Sequence, residues 1–195
     1  MKHKNIFLKY KILFIILIII IIIELKNPIE RHYLTRKYYD IAKSLAKEKN
    51  KKLMVIGDPC CGNINMTIQK MFPNCFHGDV TIDLFGCDQC DRLDINDIKG
   101  WQKYKSNEFV IIESGTLSFS NNIAVVLAEI KRISGGDFLS AGGTTSYYWK
   151  YIGNYIYSRN YPTSLKYMIY PFDYRKQNKY KVYNFVENKL KFIDF

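Results

Sequence analysis

The folded part of this chain lacks an excess of charge of either sign. Residues 53–195 contain 16 Lys or Arg against 14 Asp or Glu, whereas residues 1–52 contain 13 Lys or Arg against only 4 Asp or Glu. A nucleic-acid-binding domain is expected to carry its positive field on the folded body. The charge distribution therefore disfavours nucleic acid as a partner and favours a membrane surface, although Lys-rich helices are also common simply because they are soluble.

The N-terminal arm lacks polar side chains over residues 12–23, ILFIILIIIIII. Residues 6–25 supply about 20 positions, enough to cross roughly 30 Å of hydrocarbon if Lys9 and Lys11 reach toward the headgroups. No small-x-small cleavage site follows, which favours an uncleaved anchor over a signal peptide. We predict a basic tail at residues 1–11, a transmembrane helix at residues 12–25, and therefore a single-pass membrane protein.

Residues 26–52 form a basic amphipathic segment next to this anchor. Leu34, Tyr38, Ile41 and Leu45 are spaced by four, three and four positions, which predicts a helix that begins after Pro28. Its apolar stripe can lie on anionic headgroups or pack on the domain, and we favour packing because most amphipathic helices are core elements. Four basic residues on each side of the apolar run leave the orientation undecided by charge, and we predict a cytosolic domain.

Residues 53–195 alternate between strand and helix patterns, as in a parallel sheet that is covered on both faces. The last two predicted strands flank a short turn and indicate an antiparallel hairpin. The predicted strands are residues 53–56, 79–84, 92–95, 108–113, 138–141, 180–186 and 190–195, and the predicted helices are residues 63–71 and 122–133. The fold class is therefore α/β, with a Rossmann-like, mostly parallel sheet that ends in a hairpin.

Several segments of this domain together resemble the class I S-adenosylmethionine-dependent methyltransferases. KLMVIGDPCCGN stands where that family has a strand and a glycine-rich loop, and VTIDL ends in Asp83, where the family has an acidic residue. DINDI, from Asp94, resembles the acidic segment beside the adenine, and NEFVIIESGTLSF resembles the fourth strand. AEIKRISGGDFL is the most specific match, because the family commonly has Glu-Ile-x-Arg followed by Gly-Gly at this helix and turn.

The resemblance implies a methyltransferase-like protein that transfers a methyl group from S-adenosylmethionine to an unknown acceptor. It places Gly57, Cys61, Gly62 and Asp83 at the cofactor and Asp94 near its adenine. Backbone amides at a strand-to-helix turn can approach such a ligand, and a carboxylate 26 residues later can accept both ribose hydroxyls. A strand-end turn residue is the alternative interpretation of Asp83.

This sequence departs from the family at defined positions. Val55 replaces the usual acidic residue and Pro59 replaces the second glycine, so the loop follows a different path. The chain lacks both Gly-x-Gly-x-x-Gly, which disfavours a dinucleotide, and Asn-Pro-Pro-Tyr, which disfavours methylation of base or amide nitrogen. No catalytic residue is assigned. The alternative function is a catalytically inactive scaffold or membrane adaptor with a methyltransferase fold, which a zinc ion can stabilise.

Cysteine is absent outside residues 60–90. Cys87 and Cys90 have the C-x-x-C spacing that lets two thiolates bind one zinc ion, and Cys60 and Cys75 can complete four ligands. Cys61 and His77 are alternative ligands within the same segment. Reduced structural thiols and disulfides are the other interpretations, and the redox compartment decides between them.

Overall fold

The structure is a computed structural model, and it describes residues 2–57, 76–84, 90–142, 167–169, 172–175, 179–184, 187 and 189–194. The helices are α1 (Lys2–Lys49), α2 (Ile98–Trp101) and α3 (Ile123–Ser134), with a 3-10 turn at Thr116–Phe119. The strands are β1 (Lys52–Ile56), β2 (Val80–Asp83), β3 (Asp91–Arg92), β4 (Phe109–Glu113), β5 (Phe138–Ser140), β6 (Tyr167–Ile169), β7 (Phe172–Asp173), β8 (Lys179–Asn184) and β9 (Lys189–Asp194). The predicted helix at residues 63–71 lies outside the described residues.

The main sheet has the order β3-β2-β1-β4-β5-β7, and its first five strands are parallel. Met54 and Ile56 of β1 face one hydrophobic cluster, whereas Leu53 and Val55 face another, because successive side chains of a strand point to opposite faces. β4 divides its side chains in the same way. Both faces of the central strands are therefore covered, as in a Rossmann-like α/β protein.

Helix α3 covers one face of this sheet. The Asn122 side chain accepts a hydrogen bond from the Val125 N–H at its start, and Gly135 ends it in the left-handed conformation at φ 64°. Its buried side chains recur at helical spacing and enter the larger cluster with the β1 and β4 residues Ile56 and Ile111. The predicted helix at residues 122–133 is confirmed within one residue at each end.

Residues 35–49 of α1 cover the opposite face. Ala42, Leu45 and Ala46 are buried against Val55 and Ile112 of the central strands. The segment runs from the carboxyl edge of the sheet, where Thr35 contacts Ser114, to the amino edge, where Lys49 contacts Asp137. The expectation that this amphipathic stripe packs on the domain is confirmed.

The fold prediction is wrong in including a transmembrane helix at residues 12–25. Among the residues that the structure describes, no helix combines the length and the apolar character needed to span a bilayer. The uninterrupted apolar run has 12 residues, about 18 Å of helix, which is short of the roughly 30 Å of hydrocarbon. The predicted single-pass membrane localisation is wrong for the same reason.

Helix α1 is continuous from Lys2 to Lys49, so residues 12–25 and residues 26–49 belong to one helix. The backbone is helical through Pro28, which was interpreted as a helix start. Eleven large apolar side chains between Tyr10 and Ile22 are 40–68% exposed.

The predicted hairpin forms, but it does not end the main sheet. β8 and β9 pair antiparallel, and together with β6 they make a separate three-stranded sheet. The edge beside β5 is occupied instead by the short antiparallel strand β7. Tyr180 and Val182 of β8 are buried in the larger cluster, so the second sheet packs on the core through its face.

Candidate functional site at the carboxyl edge of the sheet

The strand order reverses between β1 and β4, and this reversal defines the candidate site. The chain proceeds outward through β2 and β3 on one side of β1, and through β4 and β5 on the other. In open parallel sheets, ligands bind in the crevice beyond the carboxyl ends of the strands at such a point. Gly57, Asp83 and residues 113–116 lie at these strand ends.

Gly57 and Asp83, predicted as cofactor contacts, are brought together at this edge. Ile56 lies opposite Ile82 in the β1–β2 register, and the Gly57 N–H donates to the Ile82 carbonyl at 2.8 Å. Gly57 is therefore the neighbour of Asp83 across the strands. The Asp83 side chain is half-buried, and its carbonyl accepts a hydrogen bond from the Leu93 N–H at 3.2 Å.

The backbone at Gly57 requires glycine for two separate reasons. Its φ of +78° lies in the left-handed region, which side chains rarely adopt. A Cβ at this position would lie 2.0 Å from Thr116 Oγ1, in the turn that follows β4. Thr116 Oγ1 in turn donates to the Ile56 carbonyl at 3.4 Å, so the β1 and β4 ends are in direct contact.

Asp94, predicted to lie near an adenine, organises the loop after β3. Its Oδ1 accepts hydrogen bonds from the Asn96 N–H at 2.8 Å and from Asn96 Nδ2 at 3.0 Å. Asn96 Oδ1 accepts from the Asn121 N–H at 2.6 Å, which connects this loop to the start of α3. Since β3 lies two strands from β1, about 10 Å away, Asp94 stands at the outer end of the candidate site.

The other predicted site residues, Cys60, Cys61, Gly62, Cys75 and Cys87, lie outside the described residues. Cys90 is described and is disulfide-bonded. A sulfur in a disulfide is not a thiolate, so zinc binding at Cys90 requires the reduced protein. Within the described part of the chain, no group of three or more His, Cys, Asp or Glu side chains is arranged to hold a metal ion. Zinc stays a prediction.

Glu113 is the buried acid at this edge that sequence reasoning missed. It is 0% exposed, at the end of β4 directly opposite Ile56. The Ser140 hydroxyl of β5 donates to its Oε1, the Leu117 N–H donates to Oε2 at 3.3 Å, and the Tyr180 hydroxyl of β8 lies 3.5 Å from Oε1. Burial raises the pKa of the Glu113 carboxyl, and these hydrogen bonds oppose that rise only in part.

The sequence signal for Glu113 was a single acid that ends the otherwise apolar strand FVIIE. Its partners could not be identified, because Ser140 and Tyr180 follow it by 27 and 67 residues. Next to it, the buried hydroxyls of Ser114 and Thr35 lie 3.4 Å apart and connect α1 to the end of β4.

Comparisons of this chain with protein-family models, with curated proteins and with solved structures find no match.

Proposed function

We propose that the chain binds S-adenosylmethionine at the carboxyl edge of its parallel sheet and transfers the methyl group to an acceptor that is not identified. The observation that carries this proposal is the position of Gly57 beside Asp83, at adjacent strand ends next to the reversal of strand order. An acid at this edge suits an adenosine moiety, because a carboxylate accepts ribose hydroxyls.

The acidic residues present at this edge suit the cofactor in charge. Asp83 and Asp94 are half-buried acids at one edge, where a cationic ligand is favoured electrostatically. S-adenosylmethionine supplies an electrophilic methyl group when it is bound. The chain's own contribution is then to hold the adenosine end at Gly57 and Asp83 and to orient the acceptor's lone pair toward that methyl group.

Calorimetric titration of the full chain with S-adenosylmethionine tests the proposal, in a non-ionic detergent that covers the apolar arm. Wild type is expected to give a saturable heat, and Asp83→Asn is expected to weaken binding at least about tenfold, because a charged acceptor of two hydroxyls is lost. Asp194→Asn is the matched control, since this acid is exposed on β9, outside the main sheet. No heat at millimolar ligand would refute the proposal.

The contact between Thr116 and Gly57 favours a second candidate, a catalytically inactive scaffold with the same fold. Thr116 Oγ1 occupies the space beside Gly57 that the glycine leaves open. Thr116→Ala removes this hydroxyl. If both wild type and Thr116→Ala are silent in the titration while both unfold cooperatively, the scaffold is the better account.

A further inference from the structure

Glu113 lies where four elements meet. It ends β4, and its carboxyl group contacts Ser140 of β5, Tyr180 of β8 and the amide of Leu117 in the 3-10 turn. The same turn contains Thr116, whose Oγ1 lies where a Cβ at Gly57 would point. One buried carboxyl group thus connects the parallel sheet, the antiparallel sheet and the loop beside the candidate ligand site.

The groups that face Glu113 from each of these elements are neutral. From β5 there is the Ser140 hydroxyl, from the turn the amides of Gly115, Thr116 and Leu117, and from β8 the Tyr180 phenol. Tyr38 of α1 is the next titratable group and acts electrostatically on Tyr180. No Lys, Arg or His among the described residues forms an ion pair with Glu113.

An ionised carboxylate in this place would be a buried charge with no cation partner in the described structure. Such a charge is unfavourable even after relaxation, whereas a carboxylic acid hydrogen-bonded to hydroxyl groups carries no such cost. Both hydroxyls at Oε1 can accept as well as donate, so a proton on the carboxyl group has a partner. Burial also raises the pKa of the Tyr180 hydroxyl, so that partner is neutral too.

We propose that Glu113 is a neutral carboxylic acid in the native protein. Its hydrogen bonds then connect the ends of β4, β5 and β8 in a pH-sensitive way, and we call this connection the clasp. When the proton leaves to a base in solution, the carboxylate is left among hydroxyl and amide dipoles alone. The clasp then weakens, and with it the fit of the Thr116 turn against Gly57. This inference does not depend on S-adenosylmethionine binding.

The sign of the pH effect follows from linkage. Burial holds the folded pKa of Glu113 above its unfolded value of about 4.3, so the native state binds the extra proton. The stabilisation is fully present below the unfolded pKa and is lost as pH rises through the folded pKa. Between these two values, the unfolding constant of wild type relative to Glu113→Gln is expected to rise about tenfold per pH unit.

Infrared spectroscopy and urea unfolding of the full chain between pH 5 and pH 9 test the clasp. Wild type is expected to show the carbonyl band of a protonated carboxyl group at pH 7, and Glu113→Gln is expected to lack it. Glu108→Gln, at the other end of β4, is the control, because its carboxylate is ion-paired with Lys52 and stays charged over this range. Its unfolding constant should therefore keep a constant ratio to that of wild type.

Absence of the band from wild type at pH 7 would overturn the proposal, and so would parallel pH profiles for wild type and Glu113→Gln. If Glu113→Gln does not fold, Ser140→Ala decides. Removing the hydroxyl that contacts Oε1 is expected to shift the frequency of the protonated-carboxyl band. A band that does not move would place the proton on another residue and would also overturn the proposal.

Discussion

At the scale of single residues, Gly57 and Gly136 separate backbone strain from steric conflict. Both have positive φ, 78° and 95°, but a Cβ at Gly136 meets nothing within 4 Å, whereas one at Gly57 meets Thr116. We expect Gly136→Ala to cost about 1–2 kcal/mol of unfolding free energy, the cost of a left-handed non-glycine residue. Gly57→Ala is expected to cost more than Gly136→Ala. Adding Thr116→Ala to Gly57→Ala should recover this additional loss of unfolding free energy.

Urea unfolding of the two single variants and of the Gly57→Ala/Thr116→Ala pair measures this. Equal losses for Gly57→Ala and Gly136→Ala would show that the turn after β4 does not press on Gly57.

Asp137 is the residue that joins the end of α1 to the amino edge of the sheet. Its buried carboxylate receives Lys49 on Oδ1 and Lys51 on Oδ2, the latter at 2.6 Å. Asp137→Asn leaves Lys51, which is also largely buried, without its anion. We expect a loss of about 2 kcal/mol, typical of a hydrogen bond to a charged group. Glu108→Gln breaks the exposed pair with Lys52 and is expected to cost much less in the same denaturation experiment.

At the scale of elements, the packing of α1 on the sheet can be tested by substitutions on its buried and its exposed face. Ala42 is fully buried between the helix and the central strands, whereas Ser44 lies on the exposed face of the same turn. Ala42→Leu is expected to overpack this interface and to lower the unfolding free energy by about 1–3 kcal/mol. Ser44→Leu adds the same side chain on the solvent side and should change little. A similar cost for both would mean that this helix does not pack as described.

The central elements were predictable because their signals are local. β1, β4 and α3 have long apolar patterns with clear ends. Gly57 and Asp83 were placed at one site by the family resemblance. The positions of the hairpin and of α1 were not predictable in the same way. The hairpin packs through its face because of the distant Tyr180, and the continuity of α1 through Pro28 opposes the usual preference for proline at a helix start.

At the scale of the whole molecule, the apolar arm (residues 1–32) and the body (residues 33–195) differ in how far their described side chains are buried. Thr35 is the first fully buried residue of α1 among those whose side chains are described, and Ala42, Leu45 and Ala46 follow it. A chain that begins at residue 33 is therefore expected to unfold at the same urea concentration as the full chain. A chain that begins at residue 47 loses the packed part of α1 and is expected not to fold, because each buried leucine-sized side chain contributes about 1.5–3 kcal/mol.

Circular dichroism during urea unfolding compares the two truncated chains with the full one. A lower midpoint for the chain that begins at residue 33 would show that the apolar arm stabilises the body.

The uninterrupted helix α1 also has a mechanical consequence. Its 48 residues make a rod of about 72 Å, and one end of that rod is fixed to the strand edges by the contacts of Thr35 and Lys49. A continuous helix transmits torque, so a restraint on its far end also affects the orientation of the strand ends beside Gly57. A pair of glycines inserted near residue 30 would uncouple the two rotations, and fluorescence anisotropy of a dye on the arm would then decay faster than that of a dye on the body.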